Sequence, residues 1–380
     1  MSDFGLYVHW PFCAAKCPYC DFNSHVRNAI DEKGWCEAIL REMAHVAVLQ
    51  GSDRPCLDTV FFGGGTPSLM SGKSAGRILE AASRLWSFAP DIEITLEANP
   101  ASADVSRFAD YRAAGVNRIS LGVQALNDAD LRFLGRLHDV AEARAALALA
   151  MKTFERVSLD LIYARPGQTV DAWKTELAEA LAFGTEHLSL YQLTIEPQTP
   201  FALQHREGVF HIPEEDRAAD LFEATQEITA AAGRPGYEVS NHARPGAEAR
   251  HNLIYWRYGE YAGLGPGAHG RLRIAGRSVA TVCERLPERW REKVIADGHG
   301  FVEMNEVSPA DGAREHLLMS LRLAEGLDLA AYLARWGTAP DAARIADLVA
   351  GALLSPESGR LRATRRGMLV LNSVIAALAE

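Results

Sequence analysis

Cysteine is scarce, with six in 380 residues, too few for a disulfide scaffold. No segment carries the long apolar run of a membrane helix, and residues 1–13 lack the basic start and apolar stretch of a secretory signal, so a cytoplasmic protein is expected. Positive charge is also short. Thirty-nine Lys and Arg against 49 Asp and Glu leave a net charge of -10, which argues against a nucleic-acid partner. A composition of 48% hydrophobic and 23% charged residues excludes a disordered chain, a collagen-like repeat and a coiled-coil rod.

The first half alternates β-branched runs with Ala-rich, helix-periodic stretches, the pattern of βα units on a parallel sheet. Strands are expected at Leu6–Trp10, Thr59–Phe62, Glu93–Glu97, Arg118–Val123, Val157–Tyr163 and His187–Thr194. Helices are expected at Lys33–Leu49, Ser74–Leu85, Ala141–Met151 and Ala172–Ala182, with a further one near Glu214–Ala232. Six such units wind into an open doubly wound sheet or a barrel, and either collects its chemistry at the carboxyl ends of the strands. The length predicts more than one domain: a barrel over 1–240, a connecting segment over 241–305 and a mainly helical domain over 306–380.

Three of the six cysteines, Cys13, Cys17 and Cys20, share one loop just after the first expected strand. Isolated Cys36, Cys56 and Cys283 read as small hydrophobes. Three thiolates leave one iron of a four-iron cubane without a protein ligand, open to an exogenous one. Structural zinc, with His9 or His25 as fourth ligand, is the competing reading, since a Cys-x2-Cys pair suits it too. Other distinctive residues also sit at strand ends: Gly63 to Pro67, Glu97, Gln124 and Asp160.

The Cys-x3-Cys-x2-Cys triplet preceded by Tyr7-Val-His-Trp-Pro-Phe resembles the start of the radical S-adenosylmethionine (SAM) proteins, and Gly63-Gly-Gly-Thr-Pro67 resembles their GGGTP element. The resemblance implies a partial, six-unit parallel βα barrel with a [4Fe-4S] cluster on Cys13, Cys17 and Cys20. It implies SAM beside Tyr7, Tyr19, Phe22, Gly64, Gly65, Thr66 and Glu97. Gln124, Arg136 and Asp160 match positions that complete that pocket. After Asp160 the usual Gly-Leu-Pro-Gly-Gln appears as Ala164-Arg165-Pro-Gly-Gln168, which sets an extra cation at the expected pocket rim.

Within that superfamily the whole chain resembles the coproporphyrinogen dehydrogenase group, and in it the heme-chaperone branch. The dehydrogenases have a fourth cysteine where this chain has Phe22, and a long extension ahead of the cluster. His251-Asn-Leu-Ile-Tyr255-Trp256 matches the chaperone signature and implies a heme site, with the imidazole on iron and two rings against the macrocycle. By residue type alone, Tyr255 and Trp256 read as core and His251 as merely exposed. Implied partners are heme, heme-accepting respiratory membrane proteins and a second copy of the chain; the alternative activity is oxidative decarboxylation of coproporphyrinogen III. Gly265-Pro-Gly-Ala-His-Gly270 fits a dinucleotide fingerprint as a string, but Pro266 suits that turn poorly, so a glycine-rich closure is expected instead.

Overall fold

The computed structural model describes residues 3–52 and 54–379. All six expected strands are present: Phe4–Trp10, Leu57–Gly64, Phe88–Ala98, Arg118–Gln124, Arg156–Tyr163 and His187–Gln192. They lie side by side in chain order, every neighbouring pair parallel. Helices Glu32–Gln50, Gly72–Leu85, Val105–Ala114, Val140–Thr153 and Val170–Ala182 connect them. Each starts behind a side chain that takes a free backbone N–H, from Asp31, Ser71, Asp104, Asp139 and Thr169 in turn. This is the partial parallel βα barrel expected.

Side-chain alternation gives the two faces of the sheet different jobs. In Arg118–Gln124, Ile119, Leu121 and Val123 join the hydrophobic core, while Arg118 and Ser120 are buried polar residues on the opposite face. Ser158 with Asp160, and His187 with Ser189, repeat that polar row on the next two strands. The barrel interior is therefore polar along its height, and the apolar core lies between sheet and helices.

The sheet does not stop at residue 240. Asn241–Ala243 adds antiparallel to His187–Gln192, and Glu260–Leu264 adds parallel to Phe4–Trp10 on the other edge. His269–Ile274, Arg277–Cys283 and Phe301–Glu306 continue that edge antiparallel, making 11 strands. Residues 241–305, expected as a connecting segment, are thus part of the barrel sheet. Buried Glu42 fastens them, accepting from Gly265 N and Gly300 N at 2.7 Å each and from Trp290 Nε1 at 3.1 Å. Gly265 is followed by a strand, and a Cβ there would meet His9 O at 2.5 Å, so the glycine string is a close-packed closure.

Residues 309–379 form helices Pro309–Ser320, Leu329–Trp336, Ala342–Ala350, Arg365–Leu369 and Leu371–Ala379 around a three-stranded sheet. Leu317, Leu321, Tyr332, Leu354, Leu361 and Val374 give it a separate core. Among the described residues no helix is long and apolar enough to cross a membrane.

Candidate cluster and cofactor site

The cysteine loop leaves the first strand and is closed at its base where Phe12–Cys13 pairs with His25–Val26. Within it Cys20 N donates to Cys17 O at 3.1 Å, and Lys16 Nζ donates to Ser24 O at 3.3 Å. The three thiols are half-buried. Thr66 Oγ1 donates to Cys13 Sγ at 3.3 Å and Arg136 Nη1 to Cys17 Sγ at 3.5 Å, so two sulfurs already carry a donor suited to a thiolate. Burial pushes the Cys13 and Cys20 thiols up from their ordinary values, which a bound cation would reverse.

His9 does not serve as a fourth ligand here. Its Nδ1 pairs with Tyr7 Oη at 3.0 Å and its Nε2 with Asn23 O at 2.9 Å; burial lowers its pKa to about 4. His25 Nε2 is paired with Asn23 Oδ1 at 3.1 Å. Among the described residues no three His, Cys, Asp or Glu side chains converge on one ion.

Below the loop, at the carboxyl ends of the strands, a cavity of about 300 Å³ opens. Cys13, Cys17, Cys20, Tyr19 and Phe22 form its rim, with Phe22 59% exposed. Gly64, Gly65 and Thr66 form one wall. Their glycines answer to the chain as well as to any ligand: a Cβ on Gly64 would meet His9 at 2.7 Å, one on Gly65 would meet Phe12 O at 2.8 Å, and Gly64 has φ 112°. Gly65 N–H and Thr66 N–H are bonded to Trp10 O and Phe12 O, which locks this wall to the cysteine loop.

Two carboxylates face each other across the interior. Glu97 is pushed up to about 8, first by burial and then by repulsion from Asp160. Asp160 is raised by burial, against which three serine hydroxyls act; Ser120 Oγ donates at 3.0 Å and Ser158 Oγ lies at 3.2 Å. Gln124 sits at a bulge with φ 76°, and its Oε1 is buried without a partner. Arg136 donates to Gly122 O at 2.8 Å, while its Nε is buried and unpaired. Tyr191, Thr194 and Glu196 line the far wall, a set that sequence reading passed over although they end the sixth strand or follow it.

Three expectations need correction. Tyr7 is not on the cavity wall: it stacks beside Phe61 and His251, which stack on each other, in the barrel interior where alternation of the first strand puts it. Arg165 does not present its charge at the rim. It is 2% exposed and pairs with Glu176 and, at 2.9 Å, with Asp130, while Ala164 takes φ 59° in place of the family glycine. His251 offers no free nitrogen to iron. It is 0% exposed on the short helix Arg250–Trp256, with Nδ1 2.6 Å from Thr59 Oγ1 and Nε2 2.6 Å from Tyr255 Oη; burial lowers its pKa to about 3. Tyr255 seals the same contact and Trp256 is half-buried. The alternative of two core rings beside an exposed histidine fails too, since His251 is fully buried and the rings half-buried; the motif plugs the amino-terminal floor of the barrel.

The Radical SAM superfamily model matches residues 7–179, and the HemN C-terminal domain model matches residues 307–370. A heme chaperone HemW of Escherichia coli (strain K12) is 37% identical over 99% of this chain and 98% of its own length. The chain belongs to the HemW family of radical SAM proteins. The family extends to animals: the mitochondrial radical S-adenosyl methionine domain-containing protein 1 of Mus musculus is 38% identical over 98% of this chain and 86% of its own. Among solved structures, coproporphyrinogen III oxidase (HemN) from Escherichia coli superposes with a TM-score of 0.83, covering 100% of this chain and 90% of that one at 22% identity, which shows a shared fold.

HemW-family membership implies an iron-sulfur cluster and SAM, and the residues present fit both. Three thiols hang on one loop, two with donors in place, and the adjoining cavity keeps Gln124 Oε1 and Arg136 Nε buried without partners. A ligand with carboxylate and amino groups supplies what those two atoms lack.

Proposed function

We propose that this protein binds heme in the cytoplasm and hands it to respiratory membrane proteins, with a [4Fe-4S] cluster on Cys13, Cys17 and Cys20 and SAM in the adjoining cavity. The observation that carries the proposal is likeness along essentially the whole chain to proteins named heme chaperones, with the cysteine loop and cavity intact. Glu97 and Asp160 suit a cationic sulfonium, Gln124 and Arg136 suit the methionyl amino and carboxylate groups, and Tyr19, Phe22, Gly64, Gly65 and Thr66 enclose them. When bound, the cluster supplies a single electron to the sulfonium. The chain's own part is to hold the ligand against the loop, exclude water with Tyr19, donate a hydrogen bond from Thr66 to the Cys13 sulfur and set the Arg136 cation beside the Cys17 sulfur.

Phe22 supports carrying over making: it stands where the dehydrogenases have a fourth cysteine and offers no thiol. A second copy of the chain is part of the proposal, as the form that docks on the recipient. The test is transfer. Heme-loaded protein is mixed with membranes containing a heme-depleted respiratory oxidase, and the oxidase spectrum is followed. Recovery of the oxidase from protein-bound heme, faster than from the same amount of free heme, is the expected result; no recovery removes delivery from the proposal.

A further inference from the structure

A hydrogen-bonded chain leaves the cavity through its floor. Asp160 Oδ1 lies 3.2 Å from Ser158 Oγ, which lies 2.7 Å from His187 Nδ1, and His187 Nε2 lies 2.9 Å from Tyr237 Oη. Tyr237 Oη also accepts from Ala249 N at 3.3 Å. Ser158 and His187 are buried, while Tyr237 is half-buried at the other end of the barrel. The cofactor reading of the cavity uses Asp160 and none of the other three.

Each hydroxyl in this chain has one proton to give, so when Ser158 gives its own along the chain and not to Ser189 Oγ, 3.2 Å away, the donors all run one way. With Asp160 ionised, Ser158 donates to the carboxylate, His187 Nδ1–H donates to Ser158, and Tyr237 donates to Nε2. With Asp160 protonated, the carboxyl donates to Ser158, Ser158 to Nδ1, and Nε2–H to Tyr237. Passing from the first state to the second takes in one proton at Tyr237 and shifts one along each link: the tyrosine proton to Nε2, the Nδ1 proton to Ser158, the serine proton to Asp160. His187 changes tautomer and is never an imidazolium. Its surroundings demand this, because burial and the facing cations Arg118 and Arg156, with His242, hold its pKa far below the ordinary value.

We propose that Asp160–Ser158–His187–Tyr237 is a proton path joining the cofactor cavity to the barrel floor, with His187 the positioning residue that, through Ser158, sets how Asp160 meets a cationic ligand. The path matters when a ligand fills the cavity, since the mouth is then closed to water and the floor is the remaining route. Besides Ser158, Asp160 is faced by Glu97, Arg118 and Tyr191 from neighbouring strands, and by Ser120 and Ser189. Of these, Arg118 also acts on Tyr237, through its charge.

The test reads the tautomer directly, without cofactor. Nitrogen-15 NMR of protein labelled at histidine, with the His187 signal identified by its loss in His187→Gln, is followed from about pH 5.5 to about pH 9. A neutral ring that moves from Nε2–H to Nδ1–H as pH rises is expected, with the change abolished in Asp160→Asn and in Ser158→Ala. A single tautomer at every pH, or the same change in Asp160→Asn, overturns the proposal. The second readout rests on the SAM reading of the cavity. His187→Phe is expected to raise the SAM dissociation constant about tenfold on the acid side of the tautomer change and much less on its alkaline side, because the freed Ser158 hydroxyl no longer favours the carboxylate. His187→Gln, whose amide can still donate to Ser158, restores most of the affinity. An equal loss on both sides with the fold intact overturns the positioning role. A tautomer change in protein that binds no SAM keeps the path and rejects the cofactor reading.

Discussion

Replacing His251 by alanine removes the residue that closes the barrel floor. The imidazole is fully buried and makes two short side-chain bonds, to Thr59 Oγ1 and Tyr255 Oη at 2.6 Å each, and both hydroxyls lose their partner. An orphaned buried hydroxyl costs roughly 1–3 kcal/mol, and the space left by the ring adds about 1 kcal/mol. The expected loss is therefore about 3–7 kcal/mol, a large share of the roughly 5–15 kcal/mol that holds most domains. Urea unfolding of cofactor-free wild type and His251→Ala, compared by midpoint and slope, measures it. A loss under about 1 kcal/mol refutes the floor role. Abolished heme binding in a variant of unchanged stability also refutes it, since the ring would then be leaving its two bonds to coordinate iron.

Substituting Cys13, Cys17 and Cys20 together by alanine is expected to yield protein that retains neither iron nor sulfide after anaerobic reconstitution, while wild type retains both in equal amounts; stoichiometric zinc in wild type would reinstate the competing metal. Arg165→Leu, which installs the residue usual in the family, is expected to destabilise by about 3–5 kcal/mol in urea unfolding, because Glu176 and Asp130 lose the buried guanidinium between them. No change would mean those carboxylates find other partners. Stability is expected to fall as pH drops from about 6.5 to about 5. His9, His138, His242, His251 and His316 have folded pKa values of about 3 to 4, below the ordinary value, so the unfolded chain binds their protons first and acid favours it. Glu42 and Glu97, raised to about 7 and about 8, act the other way because the folded state holds their protons, as do Asp160 and Glu238, which burial also raises; the five histidines, joined by His187, outweigh them. A urea midpoint equal or higher near pH 5.5 than near pH 7.5 contradicts this balance.

The parallel units were legible in the sequence because short β-branched runs alternate with Ala-rich, helix-periodic stretches; the caps that start the helices, Asp139 and Thr169 among them, went unread. The shared site was legible because Cys13, Thr66, Glu97, Gln124 and Asp160 all lie at strand ends, which a barrel brings to one mouth. Three things were hidden. The strand Glu260–Leu264 pairs with Phe4–Trp10 across more than two hundred residues, and no local pattern announces such a partner. His251 read as a ligand through its motif, yet only the three-dimensional structure shows Thr59 and Tyr255 on both nitrogens. Asp160 stood out in the sequence, but Ser158, His187 and Ser189 did not, because only neighbouring strands put the four in contact.

Heme titration of the anaerobically reconstituted protein, followed by its optical spectrum, tests the central claim most directly. Saturable binding of one heme per chain, with no turnover of coproporphyrinogen III in a parallel reaction, is the predicted result. Absence of saturable heme binding, together with coproporphyrinogen decarboxylation that releases methionine and deoxyadenosine in step, would contradict it and make the protein an oxidative enzyme instead.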